Sequence, residues 1–478
     1  VVNVACQVSN TSAASYYVPV GPTRIMDTRH NLGANGPVPA SGGTVKLQIT
    51  GNNGIAAYKA PFSYPATNGY DLASGWGTPV APGVVNVACQ VSNTSAASYY
   101  VPVGPTRIMD TRHNLGANGP VPASGGTVKL QITGNNGVAP SNVTAVALNV
   151  TVTANAAGGY ATVYPDGTTA PPTSNLNWTP NQTVPNLVVV PVGADGMVDL
   201  TNSSASTVQF VADLAGYFTS DSGAAGISTY TAVGPVRAMD TRNGTGVPAG
   251  AVPSGGVVSL PVGGKTIGSV TIPSGITAVA MNVTVVGPSA GGYVTVYPNQ
   301  TSGGGPVTRP GVSNLNFTAN QTIANLVIVP VGADGKVDFF NGGGATQLIA
   351  DVAGYFSAGT SGAKYHALGP DRIVDTRIEL GSASTAPLGA NAVFGLPIPS
   401  SATAILANLT VASTQQGGYL TAYPAGSTRP TVSNLNFAPG QAVPNLAIVP
   451  SNSGVNFFNG SGGSLRLIAD LGGYFSAS

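Results

Sequence analysis

The sequence predicts an all-β protein: three tandem β-sandwich-like domains of about 130 residues, preceded by an incomplete N-terminal copy. Three observations carry this. Charged residues are 7% of the 478, with a single glutamate, against about 25% in an ordinary soluble chain. The 65 glycines and 38 prolines supply turns throughout. A fixed series of short phrases then recurs three times in the same order. Helical bundles and coiled coils need far more Glu, Lys, Leu and Ala, while a hydrophobic fraction of 42% is ample for a core and argues against disorder. A net charge of +1 offers no basic surface for nucleic acid, and no apolar run reaches the ~20 residues of a membrane helix.

The chain opens at Val1 with neither an initiator methionine nor a signal peptide, which points to a processed mature chain or a fragment. Residues 1–83 form the incomplete copy. Val1–Gly54 repeats as Val84–Gly137 at every position, as expected of a very recent duplication or an artefact of assembly. The three full units are expected at 84–222, 223–359 and 360–478, joined by small polar linkers at Thr219–Thr229 and Ser357–Lys364. Cys6 and Cys89 are copies of one residue, not a disulfide framework.

Each unit opens with R-x-x-D-T-R (Arg107–Arg112, Arg237–Arg242, Arg372–Arg377). It continues through an N-V-T-V-like phrase, GGY-x-T-x-YP, SNLN, a continuously apolar run and a closing phrase such as FVADLAGYF at Phe210. In Leu148–Val152 apolar and polar residues alternate, the period of a half-buried strand. The run Asn186–Val192 reads as a central strand covered on both sides and ended by the turn GADG. No stretch shows a helical period.

Eight of the eleven arginines lie in the R-x-x-D-T-R motif or its N-terminal duplicate. An aspartate recurs inside each closing apolar strand: Asp213, Asp351 and Asp470. A buried carboxylate must be paired or protonated, and an arginine fork accepts it through two bonds. The expected networks are Arg107, Asp110 and Arg112 with Asp213; Arg237, Asp240 and Arg242 with Asp351; and Arg372, Asp375 and Arg377 with Asp470. These read as structural ties, the alternative being an anionic-ligand or sugar site. In the GGY phrases, Tyr160 and Tyr164, Tyr293 and Tyr297, and Tyr419 and Tyr423 share a strand face with a threonine between them. Such a stripe could stack on sugar rings, or simply cover a sheet face. The Asn-x-Thr words at Asn149, Asn282 and Asn408 read as coincidental matches to glycosylation acceptors. No catalytic constellation is present in the sequence.

Two resemblances follow from these phrases. The ordered set over about 99–478 resembles the tandem "DTR" modules at the C-termini of secreted actinobacterial-type hydrolases and surface proteins, which implies a non-catalytic accessory module. The segment Ile49–Ala81, with GYDLASGWGTP at Gly69–Pro79, resembles the C-terminal calcium loop of the sedolisin (S53) serine-carboxyl peptidases. That likeness implies calcium at Asp71 and the Gly69 carbonyl, although Gln48 replaces the family's earlier calcium aspartate and the catalytic residues are not in this chain. The expected function is therefore an extracellular, non-catalytic attachment module for a surface, cell-wall glycan or substrate polysaccharide, with no cofactor beyond that calcium. The rivals are the tail of a secreted sedolisin-like peptidase, and a fibre or sheath subunit that self-associates by strand addition.

Overall fold

A computed structural model describes residues 95–382 and 384–477. The incomplete copy, and with it Asp71 and Gly69, lies outside them. The described residues contain strands and turns with no helix.

The first module holds β1 (Tyr99–Asp110), β2 (Gly126–Gln131), β3 (Val143–Thr153), β4 (Gly159–Pro165), β5 (Leu176–Trp178), β6 (Val184–Pro191), β7 (Met197–Asn202) and β8 (Gln209–Thr219). The second holds β9 (Ser228–Asp240), β10 (Val257–Pro261), an added hairpin β11 (Lys265–Ile267) and β12 (Val270–Ile272), β13 (Ile276–Val286), β14 (Gly292–Pro298), β15 (Leu315–Phe317), β16 (Thr322–Pro330), β17 (Lys336–Asn341) and β18 (Gln347–Ala358). The third holds β19 (Lys364–Asp375), β20 (Val393–Pro397), β21 (Ala402–Ala412), β22 (Gly418–Pro424), β23 (Leu435–Phe437), β24 (Val443–Pro450), β25 (Gly454–Asn459) and β26 (Arg466–Ser476). Thr229 and Lys364, expected in linkers, already belong to strands.

Each module is a sandwich of two antiparallel four-stranded sheets. In the first module the inner sheet runs β1-β8-β3-β6 and the outer sheet β2-β7-β4-β5, and the other two modules repeat this order. Eight strands split in this way form a jelly roll. Between the sheets, Leu148, Val150 and Val152 pack against Val163, Leu200 and Phe210, as their alternation in sequence requires.

The opposite face of each inner sheet is covered by the other modules. Ala145 and Ala147, Ala278 and Ala280, and Ala404 and Leu406 converge on one shared core with Tyr100, Tyr230, Tyr365, Phe218, Phe356 and Phe475. The contacts run cyclically. Tyr100 meets Phe356 at 4.4 Å between ring centroids, Tyr230 meets Phe475 at 4.3 Å, and Tyr365 meets Phe218 at 4.3 Å. Backbone pairs follow the same cycle: Ser98 with Tyr365, Tyr100 with Ser228, and Tyr230 with Ala363. The modules thus form a closed head-to-tail ring about a pseudo-threefold axis. The glycine in each closing G-Y-F is required there, because a Cβ at Gly354 would stand 2.2 Å from Tyr230 Oη, and one at Gly216 2.4 Å from Tyr100 Oη.

This packing corrects the expected place of the apolar run. Its strand β6 is an edge strand, as are β16 and β24. It is buried on both faces because a neighbouring module, not a neighbouring strand, covers it.

Candidate functional site: inter-module grooves

The R-x-x-D-T-R motif ends the first strand of each module and makes the turn beyond it. Bulges between β1 and β8 bring Arg107 opposite Asp213, and the same register pairs Arg237 with Asp351 and Arg372 with Asp470. Arg107 Nε donates to Asp213 Oδ1 at 2.9 Å, Arg237 Nε to Asp351 Oδ1 at 2.7 Å, and Arg372 Nε to Asp470 Oδ1 at 2.7 Å. The second arginine forks onto the turn aspartate: Arg112 Nε and Nη2 reach Asp110 at 2.8 and 2.6 Å, with Arg242 on Asp240 and Arg377 on Asp375 alike. The first arginine also approaches that aspartate, at 3.5, 3.1 and 3.3 Å in the three modules. The threonine between them is buried, and its hydroxyl accepts the N–H of Phe210, Leu348 or Leu467, tying the turn to the closing strand. Every residue of the motif other than the two spacers therefore has a stated partner.

The two aspartates of a network are shifted in opposite directions. The Arg112 fork holds Asp110 down to about 2, and the Arg242 fork likewise lowers Asp240. Burial acts against this at Asp375, but the Arg377 fork and N–H still leave it lowered. At Asp213, Asp351 and Asp470 burial dominates and raises the carboxyl despite the facing arginine.

Beside each buried aspartate stands an asparagine whose role the sequence reading missed. Asn149, Asn282 and Asn408 pair in register with Asp213, Asp351 and Asp470. Each donates to a serine carbonyl of the next module's SNLN phrase: Asn149 to Ser313, Asn282 to Ser433, and Asn408 to Ser174. Their carbonyl oxygens accept Asn325, Asn445 and Asn186, each at 2.8 Å. The latter three then accept the backbone N–H groups of Leu187, Leu326 and Leu446, satisfying edge-strand donors across each interface. All six side chains are buried, so the Asn-x-Thr words at 149, 282 and 408 are interface residues with no room for a glycan. The available signal was an asparagine recurring at one position of an otherwise apolar strand.

Between modules these residues border grooves. One, of 240 Å³, has Arg107, Arg112 and Thr151 on one wall and Ser313 and Asn316 on the other. The corresponding groove between the second and third modules, of 400 Å³, has Arg237, Arg242 and Thr284 facing Ser433, Asn436 and Arg429. At the third interface Asp470 accepts the Ser174 N–H and Asn408 donates to the Ser174 carbonyl. The carboxylates are sunk to 1–2% exposure beneath the guanidinium groups, so the groove walls present mainly donors. Thr151 and Thr284, with their counterpart Thr410, carry buried hydroxyls that lack a hydrogen-bond partner.

The tyrosine stripes divide between the two readings. Tyr164, Tyr297 and Tyr423 are buried, and the threonine hydroxyls between the tyrosines donate at 2.6 Å to the carbonyls of Thr173, Val312 and Val432. Those bonds tie the segment before the next strand to this one, and the burial of the second tyrosine leaves it no stacking face. Only Tyr160, Tyr293 and Tyr419 keep accessible surface. Trp178 belongs to the first module's core. Among the described residues, no group of three His, Cys, Asp or Glu side chains could hold a metal ion.

No protein-family model and no curated protein matches the chain. Solved structures it resembles include one described as "The Triple Jelly Roll Fold and Turret Assembly in an Archaeal Virus" (10% identity, 81% of this chain and 92% of that chain, TM-score 0.17). Another is the N-terminal CBM22-1-CBM22-2 tandem domain of Paenibacillus barcinonensis Xyn10C (9% identity, 52% and 100%, TM-score 0.17). A third is the Sulfolobus Turreted Icosahedral Virus structure (10% identity, 74% and 84%, TM-score 0.17).

Proposed function

We propose that the chain is a non-catalytic extracellular attachment module that holds polysaccharide in its inter-module grooves. The resemblance over 99–478 supports reading it as the accessory region of a secreted hydrolase. The supporting observation is the repetition of one groove architecture around the axis, with arginine donors on one wall and serine and asparagine on the other. Aligned donors suit a hydroxyl-rich ligand, the larger groove adds the ring of Tyr419, and two related grooves on one body suit a repeating polymer. The strand-addition alternative turns on the incomplete copy at 1–83, outside the described residues; among these, the edge strands β6, β16 and β24 each have a backbone N–H taken by a neighbouring module.

Co-sedimentation of the full chain with purified bacterial cell wall, chitin and cellulose tests this. The chain should pellet with at least one of them. Retention in the supernatant with all three, and with the soluble polymers named below, overturns the attachment reading.

A further inference from the structure

Resting on that attachment reading, we infer that the groove between the second and third modules selects an anionic glycan, one carrying carboxylate or phosphate groups. The chain's net charge hides a local imbalance. Three arginines line this groove: Arg237, Arg242 and Arg429. Arg237 is fully engaged, with Asp351, Asp240 and the Thr431 carbonyl as acceptors. Arg242 directs Nε and Nη2 at Asp240 and keeps its remaining edge open, its side chain 46% exposed. Arg429 has no carboxylate partner among the described residues. Its guanidinium instead lies 3.7 Å from the centre of the Phe458 ring. Stacking of this kind fixes the plane of the fork while leaving its N–H edge free, the arrangement that suits bidentate recognition of a carboxylate or phosphate.

The two carboxylates at this site, Asp240 and Asp351, are each 1% exposed and already bonded to arginine. An incoming anion therefore meets cations and donors first. The space of 400 Å³ is within the range of small-ligand sites, and Tyr419 on its wall provides a flat face for a sugar ring. The second module repeats the stack, with Arg309 4.0 Å from the centre of the Phe340 ring, but Arg309 does not line the 240 Å³ groove beside it. The first module lacks the stack altogether: Ala170 stands at the position of Arg429, and Thr201 at that of Phe458. The anion preference is accordingly assigned to the one groove and not to the fold as a whole.

Affinity electrophoresis of the full chain through gels containing polygalacturonate, its fully methyl-esterified form, or a polyol phosphate polymer separates the cases. Retention is expected with an acidic polymer, falling as salt is raised, and absent with the methyl ester. Arg429→Ala, which breaks no ion pair, should weaken retention roughly tenfold, the worth of one charge-assisted bond. Its melting temperature should stay near that of the parent. Arg429→Gln, which keeps a flat polar group on Phe458, should weaken retention similarly and serves if the alanine variant folds poorly. Retention by the polyol phosphate alone keeps the inference and identifies phosphate as the anion. Equal, salt-insensitive retention by the methyl ester overturns it while leaving attachment intact. Retention unchanged in both Arg429 variants overturns the assignment to this groove. No retention by any polymer removes this inference, and, with no pelleting in co-sedimentation, attachment as well.

Discussion

Replacing Asn325 with alanine tests the ring of modules at its most connected point. The side chain is fully buried. It donates to Asn149 Oδ1 at 2.8 Å and to the Asn314 carbonyl at 2.6 Å, and accepts the Leu187 N–H at 3.1 Å. Two of these partners belong to the first module. Alanine removes all three bonds and leaves the Leu187 donor and the Asn149 oxygen buried without a replacement. With about 1–3 kcal/mol for each of the two buried groups left unpaired, and about 1 kcal/mol for the lost bond to the Asn314 carbonyl, the loss should be roughly 3–7 kcal/mol. Urea unfolding followed by tryptophan and tyrosine fluorescence measures it as a lowered midpoint at unchanged slope. Asn186→Ala and Asn445→Ala break the equivalent bonds and should cost the same within about 1 kcal/mol. A loss below about 1 kcal/mol at all three positions would refute the reasoning, since the interface would then not depend on these bonds.

Three further outcomes follow from the same geometry. Asp110, Asp240 and Asp375 have lowered carboxyl pKa values, so their stabilisation is complete above the unfolded carboxylate range and is lost as pH falls through the folded values, about 2 for Asp110. Asp110→Asn should therefore flatten the drop in melting temperature between about pH 4 and pH 2, whereas Asp351→Asn, at a site raised by burial, should remove a contribution of the opposite slope. Thr284→Val deletes a buried hydroxyl without a partner and keeps the side-chain shape, so it should raise stability by about 1 kcal/mol; a fall in the thermal midpoint would contradict the assignment. Gly354→Ala forces a methyl against the Tyr230 ring in the shared core and should cost about 3 kcal/mol in denaturant titration, where a neutral result would show that the ring can move aside.

The strands were legible because period-2 alternation is local: Leu148, Val150 and Val152 declare one face whatever surrounds them. Sparse charge made the Arg–Asp pairs legible too, since Asp213 had few cations to meet. What the sequence concealed was the second face. Asn149 and Thr151 look like solvent positions of a half-buried strand, yet both are buried, and Asn149 is held there by the next module. The Asn186–Val192 run suggested a central strand for the same reason, its double burial coming from packing between modules that no local pattern encodes. Tyr164 is buried too, its hydroxyl 3.1 Å from that of Thr201 on β7, a cross-strand partner that the GGY phrase alone does not name.

A ring of three identical chains would fall apart on dilution, and each of its substitutions would appear three times. Here the three partners share one covalent chain, so the assembly persists at any concentration. The three interfaces are also spelled out separately, so one can change while the others stand. Arg309 and Arg429 stand where the first module has Ala170, only Arg429 lines a groove described above, and the hairpin β11–β12 occurs in the middle module alone among the described residues. Joining the partners end to end thus turns a symmetric ring into one whose sites can be specialised one at a time.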